Sequence, residues 1–339
     1  MERSESATQG REERFLVTGA LGCIGAWTVR NLAHEGAFVV TFDQATDPRR
    51  IRQIASDEDF DRIVFARGDI TELSSIEAAL DAHGITSIIH LAALQVPFCR
   101  ADPPLGARVN VLGTVNIFEA ARRRPERIGK VVYTGSVGMF DAADADPGTN
   151  RLENDAAAHP GNHYGVYKQA NEGTARVYWA ENGVSSIGLR PMTVYGPGRD
   201  QGMTSSPTKA IVAAVLGRPA TIGFSGRTLF QYADDVARTL VQASRSDLRG
   251  AHQYNLGGSL VDLRDFVAEI DARIPGAGDL ITVEGSPLPF PEDIAADALA
   301  AIGPVQVTPI GEGIGRTIDL FRRMRDAGSL VAEQQGLTA

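Results

Sequence analysis

The chain has 339 residues, 43 % of them hydrophobic and 22 % charged, with a formal net charge of -9. This is the composition of a globular protein large enough for one big domain or two closely joined ones. The acidic balance argues against nucleic acid or an anionic membrane as a main partner, because both require a basic footprint. Two cysteines, Cys23 and Cys99, are too few for a disulfide framework or a thiolate metal site and point to a reducing compartment.

The leader 1–13 is polar and charged, without the apolar stretch of a signal peptide, and no apolar run elsewhere is long enough to span a bilayer. A disordered leader and a cytoplasmic location are the expectations. Next, Phe15-Leu16-Val17 runs directly into Thr18-Gly19-Ala20-Leu21-Gly22-Cys23-Ile24-Gly25, a buried strand entering a glycine-rich turn before a helix. Each glycine has a physical use if a dinucleotide sits there. Gly19 frees the backbone at the strand end, Gly22 lets a pyrophosphate approach the N–H groups, and Gly25 lets the helix pack on the strand. The same spacing also suits an ordinary tight turn.

The next strand, 37–43, ends in Asp43, about twenty residues beyond the last glycine, where a carboxylate accepts from ribose hydroxyls. Such a carboxylate repels the extra phosphate of NADP, so NAD is favoured. A solvated strand-end residue is the alternative, and Arg49 and Arg50 a little further on keep NADP in view. Strand-like runs continue at 63–66, 85–91, 130–134 and 184–189 with helical patterns between them, predicting a parallel sheet with helices on both faces. From Pro191 the alternation breaks up, which predicts a smaller, irregular substrate-capping domain built mainly from 191–229 and 262–339. The segment 230–261 reads as a return to the large domain. The basic run Arg122-Arg123-Arg124 ends a helical pattern and reads as cations at a helix C-terminus.

Three residues suggest acid–base chemistry. Tyr164 and Lys168 stand at i and i+4 on one helix face, holding a phenol beside an ammonium. A tyrosine titrates near 10, and a neighbouring ammonium together with a cationic nicotinamide would favour the phenolate as a base. Ser136 follows the apolar run Val131-Val132-Tyr133, at the carboxyl end of a strand, where it can supply a second partner for a substrate oxygen. His90, His159 and His163 are not spaced as metal ligands, and no metal site is expected.

Taken together, these residues make the chain resemble the extended short-chain dehydrogenases/reductases, the NAD-dependent epimerase/dehydratase family, nearly end to end. The resemblance implies a Rossmann-type doubly wound parallel sheet over 14–190, with a smaller mixed α/β substrate-binding domain on the C-terminal side. It assigns Gly19, Gly22, Cys23, Ile24 and Gly25 to the cofactor's diphosphate, Asp43 to its ribose, and the pair Asp69-Ile70 to its adenine. Leu91-Ala92-Ala93 flank the nicotinamide ribose, and Asn110, in the family's central helix signature, also binds the cofactor, as do Pro191 and Val194 of the segment Arg190–Gly198. Ser136, Tyr164 and Lys168 take the catalytic positions, Tyr164 and Lys168 also binding the cofactor, Lys168 at the nicotinamide ribose. Tyr232-Ala233-Asp234-Asp235 resembles the family's later aspartate motif, and 311–322 its closing helix. Pairing of two central helices, about 103–123 and 163–181, into a homodimer is implied in the same way.

Departures from the family narrow the reaction. Dehydratases of the family carry an Asp-Glu pair after the catalytic hydroxyl residue, and this chain has Val137-Gly138, so dehydration lacks an acid. Hydride transfer at a secondary alcohol of a sugar or sugar nucleotide remains, most simply as epimerisation. A dehydrogenase or ketoreductase of a free sugar, sugar acid or other small alcohol is the alternative, and a non-catalytic NAD-sensing protein a third reading. Gln95, Cys99, Arg190 and Arg227 are the candidate substrate contacts. Arg227 stands one residue from the usual diphosphate-binding arginine, Leu229 replaces a common aspartate, and 199–209 lacks an asparagine grip for a nucleotide.

Overall fold

Strands covered on both faces read as continuous apolar runs, and in β1 (Arg14–Thr18) the side chains of Phe15, Leu16 and Val17 are wholly buried. The computed structural model describes residues 12–337 of the protein. The remaining strands are β2 (Phe38–Asp43), β3 (Val64–Arg67), β4 (Ser87–His90), β5 (Val131–Thr134), β6 (Arg151–Leu152), β7 (Ser186–Arg190), β8 (Thr193–Tyr195), β9 (Ala220–Ile222), β10 (Arg227–Tyr232), β11 (Ala251–Asn255), β12 (Ser259–Asp262), β13 (Ile281–Val283) and β14 (Asp293–Ile294). Seven of them form one parallel sheet in the order β11-β7-β5-β4-β1-β2-β3.

Alternate residues of these strands feed two cores. Phe15, Val17, Val39, Ile89, Val132 and Ile187 point to one face, under the helices Cys23–His34 and Ala233–Arg245. Leu16, Val40, Ile88, Val131 and Tyr133 point to the other, under Leu73–Ala82, Gly113–Arg122 and His163–Asn182. A fully buried Leu or Phe contributes about 1.5–3 kcal/mol, so these two layers hold the doubly wound fold. The chain builds outward from β1 through β2 and β3, then returns to place β4 on the other side of β1. Between the carboxyl ends of β1 and β4 a crevice therefore opens.

The second half has its own core of Tyr195, Phe230, Phe266, Ile314, Ile318 and Phe321, with the helix Ile310–Asp326 packed into it. Here one expectation is corrected. Of the segment 230–261, only the helix Ala233–Arg245 and β11 join the large sheet's layers, whereas β10 pairs with β8 and with the antiparallel β12 in a separate three-stranded sheet. Strand pattern does not specify which sheet a strand joins. Most of the leader 1–13 lies outside the described residues; at its inner end Glu13 pairs with Arg245 at 2.8 Å.

Two polar contacts lock this arrangement around the first helix. Trp27 Nε1 donates to the Pro197 carbonyl at 2.9 Å, and Asn31 Nδ2 donates to Asp234 Oδ1 at 2.7 Å. Asp235, its neighbour, accepts from the Thr308 N–H at 2.6 Å and hydroxyl at 2.9 Å. The segment Tyr232–Asp235 thus ties structural elements together.

Candidate active site

The glycine turn after β1 is shaped by close approach. Gly19 has a φ of 65°, and a Cβ there would lie 2.6 Å from the Ala92 nitrogen; a Cβ on Gly25 would collide with the Gly19 carbonyl oxygen. Gly22 is the N-cap of Cys23–His34 and offers no side chain, so the first N–H groups of that helix are left for an anion. Asp43, at the end of β2, accepts from the Leu21 N–H and the Ala45 N–H, each at 3.0 Å. It therefore holds the turn from below.

A cavity of about 660 Å³ runs from this turn across the carboxyl ends of the strands. Gly19, Gly22, Cys23, Ile24, Gly25, Asp43, Asp69, Ile70, Leu91, Ala92, Ala93, Pro191 and Val194 all line it, as do Ser136, Tyr164, Lys168 and Gln95. A bare helix start for a diphosphate, a carboxylate for a ribose and apolar walls at Ile70 and Val194 make a donor set that fits NAD. That cofactor also follows from the family described below.

Beyond the glycine turn the cavity reaches three side chains that come from two elements. Ser136 caps the short turn after β5, its Oγ accepting from the Gly138 N–H at 3.0 Å. Tyr164 and Lys168 belong to the first two turns of His163–Asn182, which Asn162 caps by accepting from the Gly165 N–H at 3.0 Å. Lys168 Nζ donates to the Thr134 carbonyl at 2.8 Å and lies 5.7 Å from the centre of the Tyr164 ring.

Burial pushes the Tyr164 phenol up, opposed by the Ser136 hydroxyl and by the charge of Arg199. Lys168 is itself pushed down by burial, to about 8, while its Nζ points at a carbonyl. His90 is held neutral, down to about 3 by burial and by the charge of Lys168, and bridges Thr18 at 2.7 Å and Thr114 at 3.1 Å. It supports β1 and β4 from within.

Four predicted site residues lie off the cavity. Asn110 is buried and grips Leu94 at both ends, accepting from its N–H at 2.7 Å and donating to its carbonyl at 2.9 Å. Cys99 is fully buried beside it, its thiol donating to the Leu94 carbonyl at 3.3 Å, and burial pushes that thiol up. Both shape the Leu91–Gln95 wall from behind. Arg190 is buried against Glu172, and Arg227 is exposed at the start of β10 on another surface. Neither lines the cavity.

Sequence reasoning passed over Arg199, which lines the cavity between the glycine turn and Tyr164, its field acting on both Cys23 and Tyr164. Its Nη2 donates to Thr204 Oγ1 at 3.0 Å, and its buried Nε has no partner. The signal available was a lone cation following the Gly196-Pro197-Gly198 turn. Met192, Met203 and Phe290 complete the wall opposite the strands.

A family model described as the NAD dependent epimerase/dehydratase family matches residues 15–257. The chain is 30 % identical over 325 residues to the UDP-glucose 4-epimerase of Mycolicibacterium smegmatis, covering 91 % of this chain and 98 % of that protein. The crystal structure of the Thermus thermophilus UDP-glucose 4-epimerase in complex with NAD is similar at a TM-score of 0.75 and 27 % identity, covering 91 % of this chain and 99 % of that one. MoeE5 in complex with UDP-glucose and NAD is similar at a TM-score of 0.76 and 28 % identity, covering 92 % and 99 %.

Proposed function

The chain belongs to the NAD-dependent epimerase/dehydratase family, and from that premise we propose that it epimerises a sugar nucleotide by reversible hydride transfer at a secondary alcohol. The observation that carries the reading is the convergence of Ser136, Tyr164 and Lys168 on the cavity that the glycine turn opens. Bound NAD would supply the hydride acceptor and, in its reduced form, the hydride donor.

Tyr164 Oη takes the proton of the substrate hydroxyl, and Ser136 donates to the same oxygen and fixes its direction. Lys168, anchored on the Thr134 carbonyl, places its positive charge beside the phenol and would hold the cofactor's ribose. Epimerisation then needs the ketone to present its other face before Tyr164 returns the proton. The wall of Met192, Met203 and Phe290 is apolar and offers the turning ketone no polar anchor of its own.

Dehydration is disfavoured by the same wall. Val137 is wholly buried behind Ser136, Gly138 carries no side chain, and the lining carboxylates Asp43, Asp47, Asp69 and Asp200 belong to the segments around the glycine turn and its facing loop. A second reading, a dehydrogenase of a small alcohol or sugar acid, draws on Arg227 and Leu229. Arg227 lies away from the cavity and Leu229 is buried in an apolar cluster with Phe290 and Val137, which leaves Arg199 as the cation facing the substrate end.

The test is the nicotinamide content of the purified, dialysed protein, followed by assays with UDP-glucose and UDP-glucuronate. Near-stoichiometric retained NAD with interconversion of C4 epimers supports the epimerase. A freely exchanging site, with net NAD reduction by small alcohols, would replace it with the dehydrogenase. A homodimer belongs to the same proposal: Leu112, Val166 and Val177 are exposed on the two central helical segments, where apolar side chains suit a partner helix pair. So does a cytoplasmic location, supported by two cysteines that are both free thiols, Cys23 and Cys99. No helix among the described residues is long and apolar enough to cross a membrane.

A further inference from the structure

Near the ribose carboxylate stand two cations that the reaction leaves unused. Arg49 and Arg50 open the helix Arg49–Ile54, shortly after Asp43, and both line the cavity. An arginine near that carboxylate is what accommodates the 2′-phosphate of NADP. Here both guanidinium groups are already engaged. Arg50 Nη2 donates to Asp200 Oδ1 at 2.7 Å, its Nε to Asp200 Oδ2 at 3.0 Å, and its Nη1 to the Leu21 carbonyl at 2.8 Å. Arg49 Nη2 donates to Asp200 Oδ2 at 3.1 Å and its Nη1 to Asp47 at 3.1 Å.

The engaging carboxylate comes from across the cavity. Asp200 lies in the loop after β8, its side chain is 5 % exposed, and it accepts three hydrogen bonds from the two arginines. Two guanidinium groups thus face three carboxylates, Asp43, Asp47 and Asp200, in one corner of the cavity. Leu21 couples the corner to the glycine turn, because its N–H is held by Asp43 and its carbonyl by Arg50.

We propose that Asp200 is a specificity-determining residue for the cofactor: by holding Arg49 and Arg50, it denies a 2′-phosphate its cationic partners and reserves the site for NAD. Asp43 supplies the repulsion, and Asp200 removes the attraction that would offset it. The proposal rests on the NAD reading of the cavity.

Equilibrium binding of NADH and NADPH to the nucleotide-stripped full-length protein, followed by nicotinamide fluorescence, tests it. The wild type binds NADH and discriminates against NADPH. In Asp200→Asn the ratio of the two dissociation constants shifts toward NADPH by on the order of tenfold, the worth of one charge-assisted contact. The shift shrinks with added salt and disappears when Arg49→Gln and Arg50→Gln are added. In the Asp200-containing protein, Arg49→Gln/Arg50→Gln leaves the ratio within about twofold, because the arginines were never available; this arm holds even where Asp200→Asn does not fold. An unchanged ratio in Asp200→Asn, or a large loss of NADPH binding in the arginine pair alone, overturns the proposal. A wild type that binds neither nucleotide overturns the NAD reading itself, and a wild type that prefers NADPH overturns the proposal while leaving dinucleotide binding in place.

Discussion

Arg190 and Glu172 meet through two parallel hydrogen bonds of 2.7 Å each, with both side chains buried directly behind Gly135. Glu172 belongs to the helix that carries Tyr164 and Lys168, and Arg190 ends the strand next to the one that leads to Ser136. The pair therefore fixes the distance between the two elements that bring the three reacting side chains together.

Removing one partner leaves a buried charge alone, which costs about 3–5 kcal/mol. Glu172→Ala should lower the stability measured in urea by that amount and reduce kcat as the helix loosens. Glu172→Leu combined with Arg190→Met should recover much of the stability, because no unpaired charge remains. Urea titrations of these variants and the wild type check this, and a double variant less stable than Glu172→Ala would contradict it.

Tyr164→Phe removes the proton acceptor and leaves the glycine turn untouched. A general base contributes on the order of 10²–10⁴-fold, so turnover should fall by that factor while retained NAD stays near the wild-type level. Loss of both together would make Tyr164 a structural residue.

Gly19→Ala meets two obstacles, a left-handed φ and a Cβ 2.6 Å from the Ala92 nitrogen. Backbone strain alone costs about 1–3 kcal/mol, and the displaced turn no longer presents its N–H groups. Thermal denaturation should show a lowered Tm and little further response to added NAD. A Tm that still climbs with NAD as in the wild type would contradict this.

Two buried lysines should each add to stability as pH rises on the alkaline side. Burial pushes Lys168 down to about 8, and Lys130, closed under the Ser246 carbonyl, is likewise pushed down by burial to about 8. Unfolded lysines hold their protons to about 10.4. Between about pH 8 and 10 each of these lysines thus holds its proton more fully in the unfolded chain and adds a rise of at most about 1.4 kcal/mol per pH unit, which the thiols of Cys23 and Cys99 and the phenol of Tyr164, all pushed up by burial, oppose. The penalty for burying the charges is complete below about pH 8. Urea midpoints on either side of that threshold, at about pH 7.5 and about pH 9.5, measure the change, and Lys168→Met should make it less positive than in the wild type; an equal change in the two proteins would refute the assignment.

Val166 and Val177 are exposed on one long helix. Replacing both with Glu should halve the mass seen by light scattering if that face joins two copies. An unchanged mass would move the interface elsewhere.

Long, buried, parallel strands were legible because nothing else produces runs such as Phe15-Leu16-Val17, and the glycine turn because its spacing follows from backbone approach. The cluster of Ser136, Tyr164 and Lys168 on one cavity was also readable, since strand ends and helix starts converge at the carboxyl edge of such a sheet. What sequence did not reveal are the long-range partners. Nothing near Arg190 announces Glu172, nor does anything near Arg50 announce Asp200, yet those pairings decide which cation is structural and which is free. Asn110 and Cys99 show a related limit: local pattern puts them beside the site wall, while packing sets both against the Leu94 carbonyl behind it. Strands β10 and β12 left the large sheet because side-chain alternation carries no record of the neighbouring strand.

Trp27, on the first helix, donates to the carbonyl of Pro197 in the opposing loop, and the only other indole, Trp179, sits exposed on a distant helix. The protein therefore carries its own optical reporter of the seam between its halves. Parting of that seam would wet one indole and leave the other unchanged, so a red shift in emission would time the opening of the cleft without any attached label.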